Sequence, residues 1–144
     1  MKKFAFLLLL SICNLCFSQE TYNVKTVDQF AIYPTCKDSI DKFAECFDQK
    51  LNEDLQTKLS KIKLDKILKT QGEYFAKLNF VVDEEGNFTN IRISGNDVLG
   101  RISKEVLLKI NNEQIDNETK ISPALLNGNP VKINYAVPVK YVIK

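Results

Sequence analysis

Val131-Lys132-Ile133-Asn134-Tyr135-Ala136-Val137-Pro138-Val139-Lys140-Tyr141-Val142-Ile143 alternates almost without interruption. Val131, Ile133, Tyr135, Val137, Val139, Tyr141 and Ile143 are apolar. Lys132, Asn134, Ala136, Pro138 and Lys140 fall between them, with Val142 the only large aliphatic residue on that side. A period of two over this length predicts a long half-buried strand, because successive side chains leave a pleated backbone on opposite faces. Pro138 has no N–H to give to a ladder. It therefore places the strand at a sheet edge, or puts a bulge there. An edge matters because its unpaired N–H and C=O groups can recruit another chain.

Upstream of this strand, Asn127-Gly128-Asn129-Pro130 is a turn by composition. Further back, Tyr74, Ala76, Leu78, Phe80 and Val82 share one face of a second strand, with Phe75, Lys77, Asn79 and Val81 on the other. The polar loop Asp83-Glu84-Glu85-Gly86-Asn87 follows, and Gly86 can take a positive φ there. Phe88 to Ser94 is the return strand, with Ile91 and Ile93 on one face, so the pair predicts a β-hairpin. Phe75, Val81 and Phe88 are expected on the face away from the helices, either under an N-terminal arm carrying Phe30 and Tyr33 or as a partner groove.

Two stretches have helical periodicity. Phe43, Phe47, Leu51, Leu55 and Leu59 recur every four residues and predict a helix from about Ile40 to Ser60, with Asp38, Ser39 and Asp41 offering N-cap oxygens. A shorter piece over Leu64 to Lys69 ends at Gly72, which suits a left-handed stop. Leu99, Ile102, Val106 and Ile110 line a later helix, started by Gly95-Asn96-Asp97 and ended by Asn111 and Asn112. The expected fold class is α+β: two helices on one face of a small antiparallel sheet, in the order α-β-β-α-β.

The chain has 144 residues, which fits one domain. Lys2 and Lys3 precede the apolar run Phe4 to Phe17, and small Ser18 comes just before Gln19. This is the layout of a secretory signal peptide cleaved after Ser18. The apolar run is about fourteen residues, short of the roughly twenty that a spanning helix needs. An uncleaved anchor is the alternative. A lipoprotein signal on Leu10-Ser11-Ile12-Cys13 is the third reading, with bulky Ile12 where a small residue is wanted. The expected organisation is a signal peptide over 1–18, an extended arm over 19–35 and the domain over 36–144. Loss of Lys2 and Lys3 brings the formal charge of +2 to balance. A near-neutral domain lacks the basic stripe of a nucleic-acid binder.

Cys36 and Cys46 survive cleavage as an even pair, which in an exported chain reads as a disulfide. Two buried thiols, or half a metal site, are the other readings. The chain contains no histidine, so Ser-His and Cys-His dyads and His-ligated metals are unavailable to it. Asp83, Glu84 and Glu85 lack the alternating ligands of a calcium loop and read as a solvated turn. No catalytic residue, metal site or cofactor is expected.

Taken together, these segments resemble the TonB C-terminal domain family. Gln71 to Asn87 resembles that family's "G-x-V-x-V-x-F-x-V-x-x-x-G-x-V" hairpin. Ser122-Pro123-Ala124 and Asn127-Gly128-x-Pro130-Val131 resemble its "P-A-x-x-N-G-K-P-V". Tyr135-Ala136-Val137-Pro138-Val139-Lys140-Tyr141 resembles its closing "V-P-I-x-F" strand. Tyr33-Pro34-Thr35-Cys36, with Cys46-Phe47 after it, is similar to the "F-P-G-C … C-F" lead-in of an exported subgroup. The match covers roughly residues 30 to 143. It departs from the family at Lys61-Ile62, where a Tyr-Pro is usual, and in the polar stretch from Asn111 to Lys120.

The resemblance implies a stand-alone periplasmic or envelope-associated domain of a Gram-negative bacterium, without membrane anchor or Pro-rich linker. It implies a non-enzymatic transport accessory that binds an extended segment of an outer-membrane receptor or envelope protein by strand addition along Val131 to Lys140. A structural role, such as homodimerisation through the same edge, is the alternative. Neither nucleic acid nor a small-molecule substrate is implied.

Overall fold

The computed structural model describes residues 20–144, so the signal-peptide reading of 1–18 lies outside the described residues. Among the described residues the fold is mixed α+β, with three helices and a curled five-stranded sheet. In chain order the elements are β1 (Thr21–Tyr22), a 3-10 turn (Pro34–Cys36), α1 (Phe43–Leu59), α2 (Leu64–Leu68), β2 (Gly72–Val82), β3 (Phe88–Gly95), α3 (Asp97–Asp116), β4 (Ala124–Leu126) and β5 (Asn129–Ile143). The strand order is β1-β5-β2-β3, and β4 pairs with the start of β5.

β2 and β5 form the backbone of the sheet. They run antiparallel in unbroken register from Gly72 opposite Ile143 to Val82 opposite Ile133. β4 and β5 are joined by Asn127-Gly128, both at positive φ (53° and 78°), as a two-residue hairpin turn of matching twist requires.

One apolar core unites the elements. The stripe Phe47, Leu51, Leu55 and Leu59 on α1 and Leu99, Val106, Leu107 and Ile110 on α3 meet Ala76, Leu78, Phe80, Val82, Ile133, Val137 and Val139 of the sheet. Phe47 is the hub. Its ring makes edge contacts with Phe30, Tyr33 and Tyr135 at centroid distances of 5.4, 5.5 and 5.1 Å.

The arm does not cover a second core. Phe30, Ala31 and Tyr33 are buried in the main one, held by bridges from Gln29 to Leu125 and from Ile32 to Ser122. Phe88 also faces this core, 4.7 Å from Phe80. A bulge explains its side. Asn79 pairs with Arg92, but Val81 pairs with Thr89, so β3 carries one extra residue between them. The extra residue reverses the alternation, which brings Phe88 and Ile93 to the same face.

Helix boundaries moved for local reasons. Asp41 sits at φ 67°, outside the helical region, so α1 starts at Phe43 rather than Ile40, and its N-cap Lys42 makes no side-chain cap. Lys69, not Gly72, takes the left-handed position after α2. α3 starts as expected, with the Asn96 side chain accepting from the Leu99 N–H at 2.9 Å, but runs on past Asn111 and Asn112 to Asp116. Asn111 is buried mid-helix because its amide has tertiary partners. It accepts from the Phe88 N–H at 2.9 Å and donates to the Gly86 carbonyl at 3.2 Å. A disulfide joins Cys36 to Cys46, Cα atoms 5.9 Å apart, and ties the 3-10 turn to the first turn of α1.

Candidate functional site: the outer edge of β5

Only part of the expected edge is open. Val131 pairs with Ala124 of β4, and Lys132 and Ile133 pair with Thr21 and Tyr22 of β1, which runs parallel. β1 stops there because Asn23 to Thr26 folds into a turn. The Thr26 N–H donates to the Asn23 carbonyl at 2.9 Å, and the Asn23 N–H donates to the Thr26 hydroxyl at 3.0 Å. From Asn134 to Ile143, β2 is the one strand that pairs with β5 among the described residues. Asn134, Tyr135, Ala136, Val137, Pro138, Val139 and Lys140 thus lie on a continuous border, and Val131, Lys132 and Ile133 lie under the chain's own strands.

Pro138 sets the direction of the backbone groups. It pairs with Lys77 in the middle of an unshifted register. A proline holds such a place only where its nitrogen faces away from the partner strand. Backbone groups alternate along a strand, so the even-numbered residues Asn134, Ala136, Lys140 and Val142 present their N–H and C=O outward with it. The odd-numbered residues are bonded inward to β2. The edge therefore offers a ladder with one donor missing at Pro138.

Side chains divide by the same parity. Ile133, Val137 and Val139 are buried on the core face. Tyr135 is half-buried there, with its ring 5.5 Å from Phe80 and its hydroxyl donating to Asp48 of α1 at 2.6 Å. Burial first, then that hydrogen bond, pushes the Tyr135 hydroxyl well above the ordinary phenol range. Tyr33 is raised in the same way by burial and by donation to Asp54. Asn134, Pro138, Lys140 and Val142 are exposed on the opposite, open face, where Lys140 pairs with Glu73 at 3.0 Å. Phe75, directly opposite Lys140, is 55% exposed, and Val142 is 44% exposed.

The sheet has a second border at β3, which pairs with β2 alone among the described residues. That border is shorter and is broken by the bulge at Asn90, whose φ is 52°. Bulges are a common device for blunting an edge. β5 offers the longer regular ladder of the two.

The hairpin tip behaves as a closed turn, with the Asp83 carboxylate accepting from the N–H groups of Glu85 and Asn87 at 2.9 and 2.8 Å. Among the described residues no helix is long and apolar enough to cross a membrane. The residue-by-residue reading passed over Asn79, Asn90 and Arg92, which share a concavity on the open face with Asn134. The available signal was asparagine within strands, a residue type that strands disfavour. No family profile, curated protein or solved structure shows a significant match to this chain.

Proposed function

We propose that this chain is an exported, non-enzymatic domain of TonB-like type that binds an extended peptide by β-strand addition along the outer edge of β5, from Asn134 to Val142. The partner is a segment of an envelope or outer-membrane transport protein. The observation that carries this reading is the ten-residue border of β5 beyond Ile133, with the one missing donor at Pro138. What supports the TonB-like assignment is the resemblance in the hairpin, in the Asn127-Gly128 turn and in the Pro138 strand. The Cys36–Cys46 bridge suits an oxidising compartment.

In this mode main-chain hydrogen bonds supply affinity and alternate side chains supply selectivity. Residues of the visitor on the open face would meet Ala136, Pro138 and Lys140.

The test is a proline at an outward position. Ala136→Pro removes an N–H that β2 does not use, so the fold is retained. Losing one bond and leaving a partner carbonyl unpaired should weaken binding about tenfold or more. Wild-type and variant domains, immobilised and exposed to the same envelope extract, should differ in one retained protein. If both hold that protein equally, the edge is not the site. Sedimentation at several concentrations adds the remaining outcome: a dimer lost in Ala136→Pro would make a second copy the occupant.

A further inference from the structure

We propose that the open face of the sheet carries a second binding site, centred on β2 and β3 and reaching the β5 edge only at Asn134 to Ala136, that takes a short acidic peptide segment. The site is an open groove of about 530 Å³ spanning β3, β2 and β5. Four polar side chains converge on it: Asn79, Asn90, Arg92 and Asn134. Val24, from the turn after β1, and Val81 add apolar surface.

Register brings these groups together. Asn79 lies between Arg92 and Ala136, and Val81 next along β2 lies opposite Asn134. Asn90 is the residue of the bulge, and a bulge re-aims the side chain it carries. Three neighbouring strands thus each spend a position on asparagine, which packs poorly on a pleated surface.

Their bonding capacity is unused. Among the described residues none of the four polar side chains has a hydrogen-bond or ion-pair partner, and the same holds for Lys77, two residues before Asn79 on the same face. Two carboxylates of β2 and its hairpin loop are engaged with other lysines. Glu73 pairs with Lys140 at 3.0 Å, and Glu84 pairs with Lys132 at 3.9 Å. The face therefore holds two uncompensated cations beside three amides.

That chemistry selects the occupant. A guanidinium takes a carboxylate through two parallel N–H bonds, with Lys77 as a second positive charge. An asparagine amide offers one donor group and one acceptor, the same complement as a peptide group. A carboxylate flanked by peptide bonds satisfies both halves of the site, whereas a bare anion leaves the amide carbonyl oxygens without a donor.

The experiment follows side-chain amide signals of the 15N-labelled protein during titration with Ac-Ala-Glu-Ala-NH2. The neutral peptide Ac-Ala-Gln-Ala-NH2 is the control. The signals of Asn79, Asn90 and Asn134 should move saturably with the glutamate peptide. The glutamine peptide, and the exposed substitution Arg92→Ala, should each weaken the response about tenfold. Val142→Pro, which alters the β5 edge away from the groove and leaves the Lys140–Glu73 pair in place, should leave it unchanged. An absence of saturable shifts at millimolar peptide overturns the proposal, as does an equal response to the two peptides or to Arg92→Ala. If Val142→Pro abolishes the response, the peptide sits on the strand edge; that favours strand addition and overturns the groove.

Discussion

Asn111→Ala should destabilise the domain far more than its volume suggests. The side chain is 4% exposed and joins α3 to the turn between β2 and β3. Removing it leaves the buried Phe88 N–H without an acceptor and the buried Gly86 carbonyl without a donor. Each orphaned buried group costs about 1–3 kcal/mol, so the sum is about 2–4 kcal/mol once some water entry is allowed. The neighbouring Asn112 is exposed and bears no such bonds, so Asn112→Ala should stay within about 0.5 kcal/mol of wild type. Urea unfolding curves for the three proteins, compared at constant m-value, measure the difference directly. A loss below about 1 kcal/mol for Asn111→Ala, or one equal to that of Asn112→Ala, would refute the claim that this amide is what carries α3 past its expected end.

Three further outcomes are expected. Replacing Cys36 and Cys46 by alanine, or reducing them, releases a loop closed over a sequence separation of 10 and should cost about 3 kcal/mol, read as a lower urea midpoint. Gly86→Ala should be severe, because φ is +81° and a Cβ would stand 2.0 Å from the Ile121 carbonyl oxygen; we expect a loss above about 2 kcal/mol and a clear drop in Tm. Tyr33 and Tyr135 both hold their protons more tightly folded than unfolded. Their contribution is complete below about pH 10, where the unfolded chain keeps its phenols protonated, and declines as pH rises above that value. Stability should therefore fall steeply on the alkaline side, and Tyr33→Phe with Tyr135→Phe should flatten the fall; an unchanged slope would count against the two hydroxyls.

Regular patterns were readable where local and tertiary demands agree. The four-residue recurrence from Phe43 to Leu59 names the buried stripe of α1, and the alternation in β2 and β5 names their core faces. The disulfide was readable from compartment and parity of count. Other features depend on contacts that no local window contains. Asn111 reads as a helix stop until its partners across the fold are known. Phe88 reads as outward-facing because an inserted residue at Asn90 is invisible to simple alternation. The arm from Phe30 to Tyr33 has no period, yet Phe47 draws it into the centre. For the candidate edge, Pro138 pointed to a sheet border or a bulge, and the parity of its outward groups needed the register with β2. The two-residue cover by β1 was too short to leave a signature.

The long β2–β5 ladder also bears on how quickly the domain can assemble. Val82 waits for Ile133 and Gly72 for Ile143, partners roughly fifty to seventy positions downstream, and non-local pairing of this kind slows folding. Hairpin β2–β3 and α3 can gather first, but the central column of the sheet stays vacant until the closing segment arrives. During synthesis the nascent polypeptide would remain loosely structured for most of its length, open to proteases and chaperones until β5 is made.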